Sequence, residues 1–227
     1  MAVRRAQLIV FEGPEGAGKT TQLRRLADRL AGEGVETVDV REPGGTPLGD
    51  SIRALLLDAG RQISPSAEAL LFMASRAELV ARRIDPLLAR GVVVLMDRFF
   101  LSTYAYQIAG RGLPESEVRA ANSLAAGAVV PALTLVIDVP AAEGMARATA
   151  RGAQDRMESS GDEFHLRVER AFAAFLDPEW QGAHPECGLI VRVDGCGSED
   201  EVHSRVVQTL AQNLPLSFGM LAMDATR

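Results

Sequence analysis

The sequence predicts an α/β protein of three layers, a five-stranded parallel sheet with helices on both faces. Five short apolar runs recur along the 227 residues, each followed by a helical pattern. Their hydrophobicity is continuous rather than alternating, which suits strands buried on both faces. A glycine-rich segment, Gly13-Pro14-Glu15-Gly16-Ala17-Gly18-Lys19-Thr20, joins the first apolar run to the first helical pattern.

Leu8–Phe11 reads as the first strand. Lys19–Ala31 reads as a helix, since Leu23, Leu26 and Leu30 return at helical spacing. Val35–Val40 is the second strand and Pro47–Asp58 the second helix. One long helix is expected over Pro65–Arg90. Ser64-Pro65 opens it, as an N-cap followed by a proline whose missing N–H costs nothing at the first helical position. Val92–Met96 is the third strand, followed by a helix at Pro114–Gly127. Leu133–Val139 is the fourth strand, with helices at Ala141–Arg151 and Glu163–Leu176 after it. Leu189–Val193 and the helix Glu199–Asn213 complete the pattern. Such alternation implies right-handed crossovers and ligands bound beyond the carboxyl ends of the strands. The expected organisation is one domain over residues 1–214, with a lid at about 151–161 and a tail at 215–227. Phe218, Met220, Leu221 and Met223 leave that tail free to pack on the body or a partner, or to be disordered.

Composition narrows the function. A net charge of −6 argues against a general affinity for duplex nucleic acid, which needs a basic surface. The uncharged run Leu124 to Ile137 is broken by Gly127 and Pro131 and falls short of a membrane span. The apolar run Leu8–Phe11 is too short for the core of a signal peptide. Cys187 and Cys196 have no metal-ligand spacing and form no CxxC, which suits reduced thiols in a cytoplasmic protein. Neither nucleic acid nor membrane is therefore an expected partner.

The segment Gly13 to Thr20 matches G-x-x-x-x-G-K-[ST] in a strand–loop–helix setting. Its glycines let backbone N–H groups converge on phosphate oxygens, and the helix N-terminus adds favourable partial charge. Lys19 is the only lysine of the chain; the other basic residues are all arginine. An ammonium is a compact point charge, whereas a guanidinium is a wide planar fork. A loop wrapped around a polyphosphate has room for the first. Lys19 is thus expected to reach the β- and γ-phosphates of a nucleotide, with Thr20 joining a Mg²⁺ shell and Thr21 completing the cradle.

Asp97, closing the third strand, is the expected second carboxylate for Mg²⁺. Asp138, closing the fourth, competes for that role. The adjacent Arg98 favours Asp97, because a second phosphate held there needs a cation. The loop alone is compatible with a GTPase, an ATP-driven motor or a small-molecule kinase. A guanine-reading NKxD is excluded, since the single lysine is already used.

Further motifs occur in order: Arg41-Glu42-Pro43-Gly44-Gly45-Thr46, Phe72-Met73-Ala74-Ser75-Arg76, Asp97-Arg98-Phe99, Ser102-Thr103-Tyr104-Ala105-Tyr106-Gln107 and Arg151-Gly152-Ala153-Gln154-Asp155-Arg156. With the phosphate loop, this set resembles bacterial thymidylate kinase over about residues 6 to 213. The resemblance implies a P-loop nucleoside monophosphate kinase fold, a homodimer, and phosphoryl transfer from ATP to dTMP, giving dTDP. Another deoxynucleotide or deoxynucleoside kinase on the same scaffold is the alternative, then a nucleotide-dependent ATPase or switch.

The resemblance also implies roles. Glu42 and Pro43 would line the thymidine pocket, and Arg53 and Arg98 would hold the acceptor phosphate together with Ser102. Phe72 and Arg76, one helical turn apart, would stack on the base and donate to its edge. Glu15 would lie near the sugar 3′-hydroxyl, Tyr106 would crowd the 2′ position, and Thr103 and Gln107 would approach the base. Some members carry an arginine inside the phosphate loop; here Pro14, Glu15, Gly16 and Ala17 stand there. The lid would then supply the catalytic cation, with Arg151 the first choice. Arg156 is second, paired with Asp155 or Glu158.

Overall fold

This computed structural model describes residues 7–150, 155–157 and 159–221. Five parallel strands form one sheet in the order β2-β3-β1-β4-β5. They are β1 (Leu8–Glu12), β2 (Thr37–Arg41), β3 (Val93–Asp97), β4 (Leu133–Asp138) and β5 (Ile190–Asp194). All five expected strands form, with ends shifted by one or two residues. The central strand alternates between two cores. Leu8 and Val10 face one, with Val94, Met96 and Val136; Ile9 and Phe11 face the other, with Leu95, Leu135 and Ile137. Burial on both faces explains why these runs show no period-two pattern.

The helices are α1 (Lys19–Gly32), α2 (Pro47–Leu57), α3 (Pro65–Leu79), α4 (Asp85–Ala89), α5 (Phe100–Thr103), α6 (Glu115–Ala126), α7 (Ala141–Thr149), α8 (Asp162–Ala174), α9 (Pro178–Ala183), α10 (Glu199–Asn213) and α11 (Pro215–Phe218). Thr46 caps α2 by accepting from Gly49 N, and Ser198 with Glu201 forms a capping box on α10. Ser64 stands at the N-cap of α3 as expected, but its hydroxyl makes no capping bond.

Two differences from the sequence expectation have physical causes. The long helix from Pro65 is interrupted by a π-helical turn, Val80–Ile84. Pro86 follows directly; it has no N–H to donate and its ring crowds the carbonyl four residues back, which a widened turn accommodates. The segment after β3, read only as a motif, is helical: α5 runs into a second π-helical turn, Tyr104–Gly110. Tyr104 to Gln107 are all buried, so no amphipathic period marks the turn. Beyond residue 214 the chain packs on the body as far as Leu221. Phe218 and Leu221 enter the second core, and Gln7 Nε2 donates to Ser217 Oγ at 2.8 Å. Residues 222–227 lie outside the described residues.

The carboxyl ends of β1, β2 and β3 are neighbours, so their outgoing loops converge. Residues 13–20, 41–46 and 97–99 therefore share the carboxyl end of the sheet.

Candidate active site

The loop between β1 and α1 owes its path to glycine. Gly13, Gly16 and Gly18 all have positive φ. A Cβ on Gly16 would stand 1.9 Å from the Gly144 carbonyl oxygen, and one on Gly13 would stand 2.3 Å from that of Ile137. The loop thus touches backbone of α7 and β4 where no side chain fits. Inside it, Lys19 Nζ donates to Gly13 O at 2.9 Å and Pro14 O at 2.6 Å. Burial, then the nearby Arg98, bring the Lys19 pKa down to about 8 from an ordinary 10.5. The ammonium is held in the cradle at a cost that a bound polyanion would offset.

Thr20 Oγ1 donates to the Asp97 carboxylate, which joins the start of α1 to the end of β3. Asp138, the competing carboxylate, is instead bonded to Arg192 Nε at 2.6 Å. The geometry therefore favours Asp97 as the partner of the phosphate loop. A hydroxyl and a carboxylate are hard oxygen donors, few in number. They suit Mg²⁺, which keeps several waters and takes one or two protein oxygens beside substrate phosphates.

Arg98 is a non-glycine residue with positive φ, 70°, a conformation that costs energy and persists only where its surroundings impose it. Those surroundings are explicit. Its Nη2 donates to Glu15 Oε1 at 2.7 Å and its Nη1 to Ser102 Oγ at 2.9 Å. Tyr106 donates its hydroxyl to the same Glu15 oxygen at 2.9 Å, and its ring lies 5.2 Å from the Arg98 guanidinium. Behind them sits Glu12, fully buried, which accepts from Phe99 N at 2.7 Å, Ser102 N at 3.0 Å and Ser102 Oγ at 2.6 Å. A carboxylate at the first turn of α5 both caps that helix and seats Ser102. Glu15 faces Arg98 and Tyr106, which answers how a carboxylate is tolerated in an anion-binding loop.

Glu42 and Arg76 form a buried ion pair in which both Nε and Nη2 of Arg76 donate to the carboxylate. Arg76 Nη1 also donates to Thr103 Oγ1 at 3.0 Å and to Asn122 Oδ1, and Nη2 to the Phe99 carbonyl at 2.9 Å. Each of its five N–H groups thus has a protein acceptor. In this arrangement Arg76 has none to spare for a base edge. Arg53 Nη1 donates to Pro43 O at 3.0 Å; burial, then the adjacent Arg41, depress its pKa. Arg41, Arg53 and Arg98 form a cation cluster that an incoming phosphate would relieve.

These groups line one cleft of about 500 Å³. It is continuous from the phosphate loop to Phe72, Thr103 and Gln107. Every predicted site residue that the structure describes lines it, except Gly13 and Pro14. Arg151 lies outside the described residues. Arg156 is described, and of its two expected partners only Asp155 can be compared. Its guanidinium serves Glu68 Oε2 at 2.6 Å, Leu56 O at 2.8 Å and the Met157 sulfur rather than Asp155; Glu158 is not among the described residues. A second cleft of about 470 Å³ opens on the other side of the loop, between Gly16–Gly18, Thr21, Gln22 and Arg147 on one wall and Gly195, Gly197 and Ser198 on the other.

Comparison with known proteins decides the family. A profile of the thymidylate kinase family matches residues 11–182. The chain belongs to the thymidylate kinase family. The thymidylate kinase of Synechococcus sp. strain JA-2-3B'a(2-13) is 47% identical over 209 residues, 92% of this chain and 96% of that one. That of Deinococcus radiodurans is 44% identical over 198 residues, 87% and 93% of the two chains. The crystal structure of thymidylate kinase from Ehrlichia chaffeensis superposes with a TM-score of 0.70 at 32% identity, covering 91% of this chain and 98% of the other. The expected P-loop kinase architecture is thereby shown.

Sequence reading missed Glu12, Glu68 and the second cleft. Glu12 carried a signal, a carboxylate ending an apolar strand immediately before the first glycine of the loop. Glu68 carried none, since its partners lie on other elements.

Proposed function

We propose that this chain transfers the γ-phosphoryl group of ATP to the 5′-phosphate of dTMP, giving dTDP and ADP. The observation that carries the reading is the continuity of the main cleft. One volume joins the phosphate loop to a half-buried aromatic wall, with Arg53 and Arg98 between them. A motor or switch needs the first end only; a kinase needs both.

Lys19 and the loop N–H groups hold the β- and γ-phosphates of the donor. Arg98 and Arg53 fix the acceptor phosphate in line with the γ-phosphorus, and Ser102 seats Arg98. Phe72 offers a face on which the thymine stacks. Glu15, fixed by Arg98 and Tyr106, faces the sugar. Thr20 and Asp97 are the residues that would hold Mg²⁺, which when bound neutralises charge developing on the β- and γ-oxygens. Arg151 is the proposed cation for the group in flight, a role that rests on resemblance alone. With little covalent work to do, in-line positioning and charge stabilisation supply the rate. The second cleft suits the purine of the donor, reached from the loop through Thr21. Leu48, Leu55 and Leu70 are exposed on α2 and α3, which supports a homodimer through that face. No described helix is long and apolar enough to cross a membrane, and the free cysteines suit a cytoplasmic location.

ADP release coupled to a reporter enzyme, measured with dTMP, dUMP, dCMP and thymidine in turn, tests the assignment. dTMP should be the best acceptor, and ADP release should fall to a background without one. Thymidine outpacing dTMP would overturn the reading in favour of a nucleoside kinase, and undiminished hydrolysis without acceptor in favour of a switch or motor.

A further inference from the structure

Glu68 opens the core-facing side of α3 and is fully buried. Its Oε1 accepts from Gln107 Nε2 at 3.0 Å and Arg111 Nε at 3.1 Å; its Oε2 accepts from Arg111 Nη2 at 3.1 Å and Arg156 Nη1 at 2.6 Å. Burial works against the charge, but the hydrogen bonds from Arg111, Gln107 and Arg156 outweigh it and hold the carboxyl below its usual range. An ionised carboxylate only accepts. Gln107 must therefore turn its NH₂ towards Glu68, and the orientation of its amide follows from its partner rather than from choice. The carbonyl end then points the other way. Gln107 is itself 1% exposed yet lines the main cleft, and no described residue donates to its Oε1. Four residues earlier in the chain, Thr103 Oγ1 accepts from Arg76, which leaves its hydroxyl proton for the cleft as well.

We propose that Glu68, clamped by Arg111 and Arg156, is a positioning residue for acceptor specificity: it compels Gln107 to show the cleft a hydrogen-bond acceptor. Beside the Thr103 hydroxyl, this makes a donor–acceptor pair. A thymine or uracil edge presents the complement, an O4 acceptor and an N3–H donor. Cytosine presents N4–H₂ and a bare N3, and is mismatched at both. The inference rests on the dTMP kinase reading above.

The test is the ratio of kcat/KM for dTMP over dCMP. Glu68→Gln keeps the shape but can donate, so Gln107 is free to flip. The ratio should fall about tenfold or more, the worth of one mispaired hydrogen bond in a dry site, and mainly through KM for dTMP. Gln107→Leu should lower the ratio too, and adding Glu68→Gln to it should change the ratio no further. A merely structural role would depress both acceptors alike. An unmoved ratio in a folded Glu68→Gln variant, or additive losses in the double variant, would overturn the proposal. Should Glu68→Gln fail to fold, a crystal structure of the wild-type chain with dTMP decides. Ring N3 should lie within hydrogen-bond distance of the Gln107 atom turned away from Glu68, and a ring out of its reach refutes the idea. A wild-type chain that ignores dTMP and phosphorylates another acceptor would instead sink the kinase assignment itself.

Discussion

Replacing Lys19 by methionine should separate the energetic cost of the buried ammonium from its use. The residue is 7% exposed, donates to two loop carbonyls, and has a pKa brought down to about 8 from 10.5 by burial and then Arg98. The interval between those two values corresponds to about 3 kcal/mol spent on keeping the folded chain protonated at neutral pH. The sign follows from proton counting. Between pH 8 and 10.5 the unfolded chain holds a proton that the folded chain has released, so stability rises with pH across that window. Urea denaturation of the wild type and Lys19→Met at pH 7.5 and pH 10.5 isolates the effect, because tyrosines and other titrating groups are common to both. The wild type should gain about 3 kcal/mol on the variant between the two pH values. At pH 7.5 the variant should match or exceed the wild type in stability while losing kinase activity. A stability gap that stays constant with pH, or one that moves the other way, would refute the reasoning.

Lys19→Arg keeps the charge but brings a planar fork into a loop whose glycines already touch neighbouring backbone. It should fold normally by circular dichroism yet lose most turnover, and near-normal turnover would show that the cradle has room to spare. Glu12→Gln leaves Phe99 N, Ser102 N and Ser102 Oγ with a neutral acceptor. Stability should drop by about 1–3 kcal/mol in chemical denaturation, and KM for dTMP should rise several-fold as Arg98 and Ser102 lose their seat. An unchanged KM would confine Glu12 to the fold. Arg151→Ala should lower kcat by about 10²-fold or more with little change in dTMP binding, since its contact is proposed for the transition state. A pure KM effect would reassign it to the acceptor.

The phosphate loop was legible because its constraints are local. Glycine spacing, one lysine and the flanking strand and helix all lie within residues 8–31. Asp97 was legible only as one of two candidates, and the Thr20 hydroxyl separates it from Asp138. Phe72 and Arg76 do share the cleft-facing side of α3, as their spacing implied. What the spacing could not show is that Glu42, Thr103, Asn122 and Phe99 consume every donor of Arg76. Glu68 was invisible for a similar reason, because its three partners come from residues 107, 111 and 156 and no local pattern announces them. The helical turn from Tyr104 to Gly110 escaped because it is buried on most sides, which erases the polar face that periodicity requires.

A single lysine in a phosphate cradle also makes the chain its own reporter. An acylating reagent meets one ε-amine in the whole sequence, at residue 19. With a pKa of about 8, a substantial share of that amine is unprotonated at pH 8–9, and unprotonated amines are the reactive form. Its burial makes labelling slow enough to follow by intact mass. A triphosphate seated over it should both shield the amine and restore its proton, halting the reaction. The N-terminal α-amine takes the reagent as well, so the rate of the slower, second mass increment would read donor occupancy, with no probe engineered into the protein.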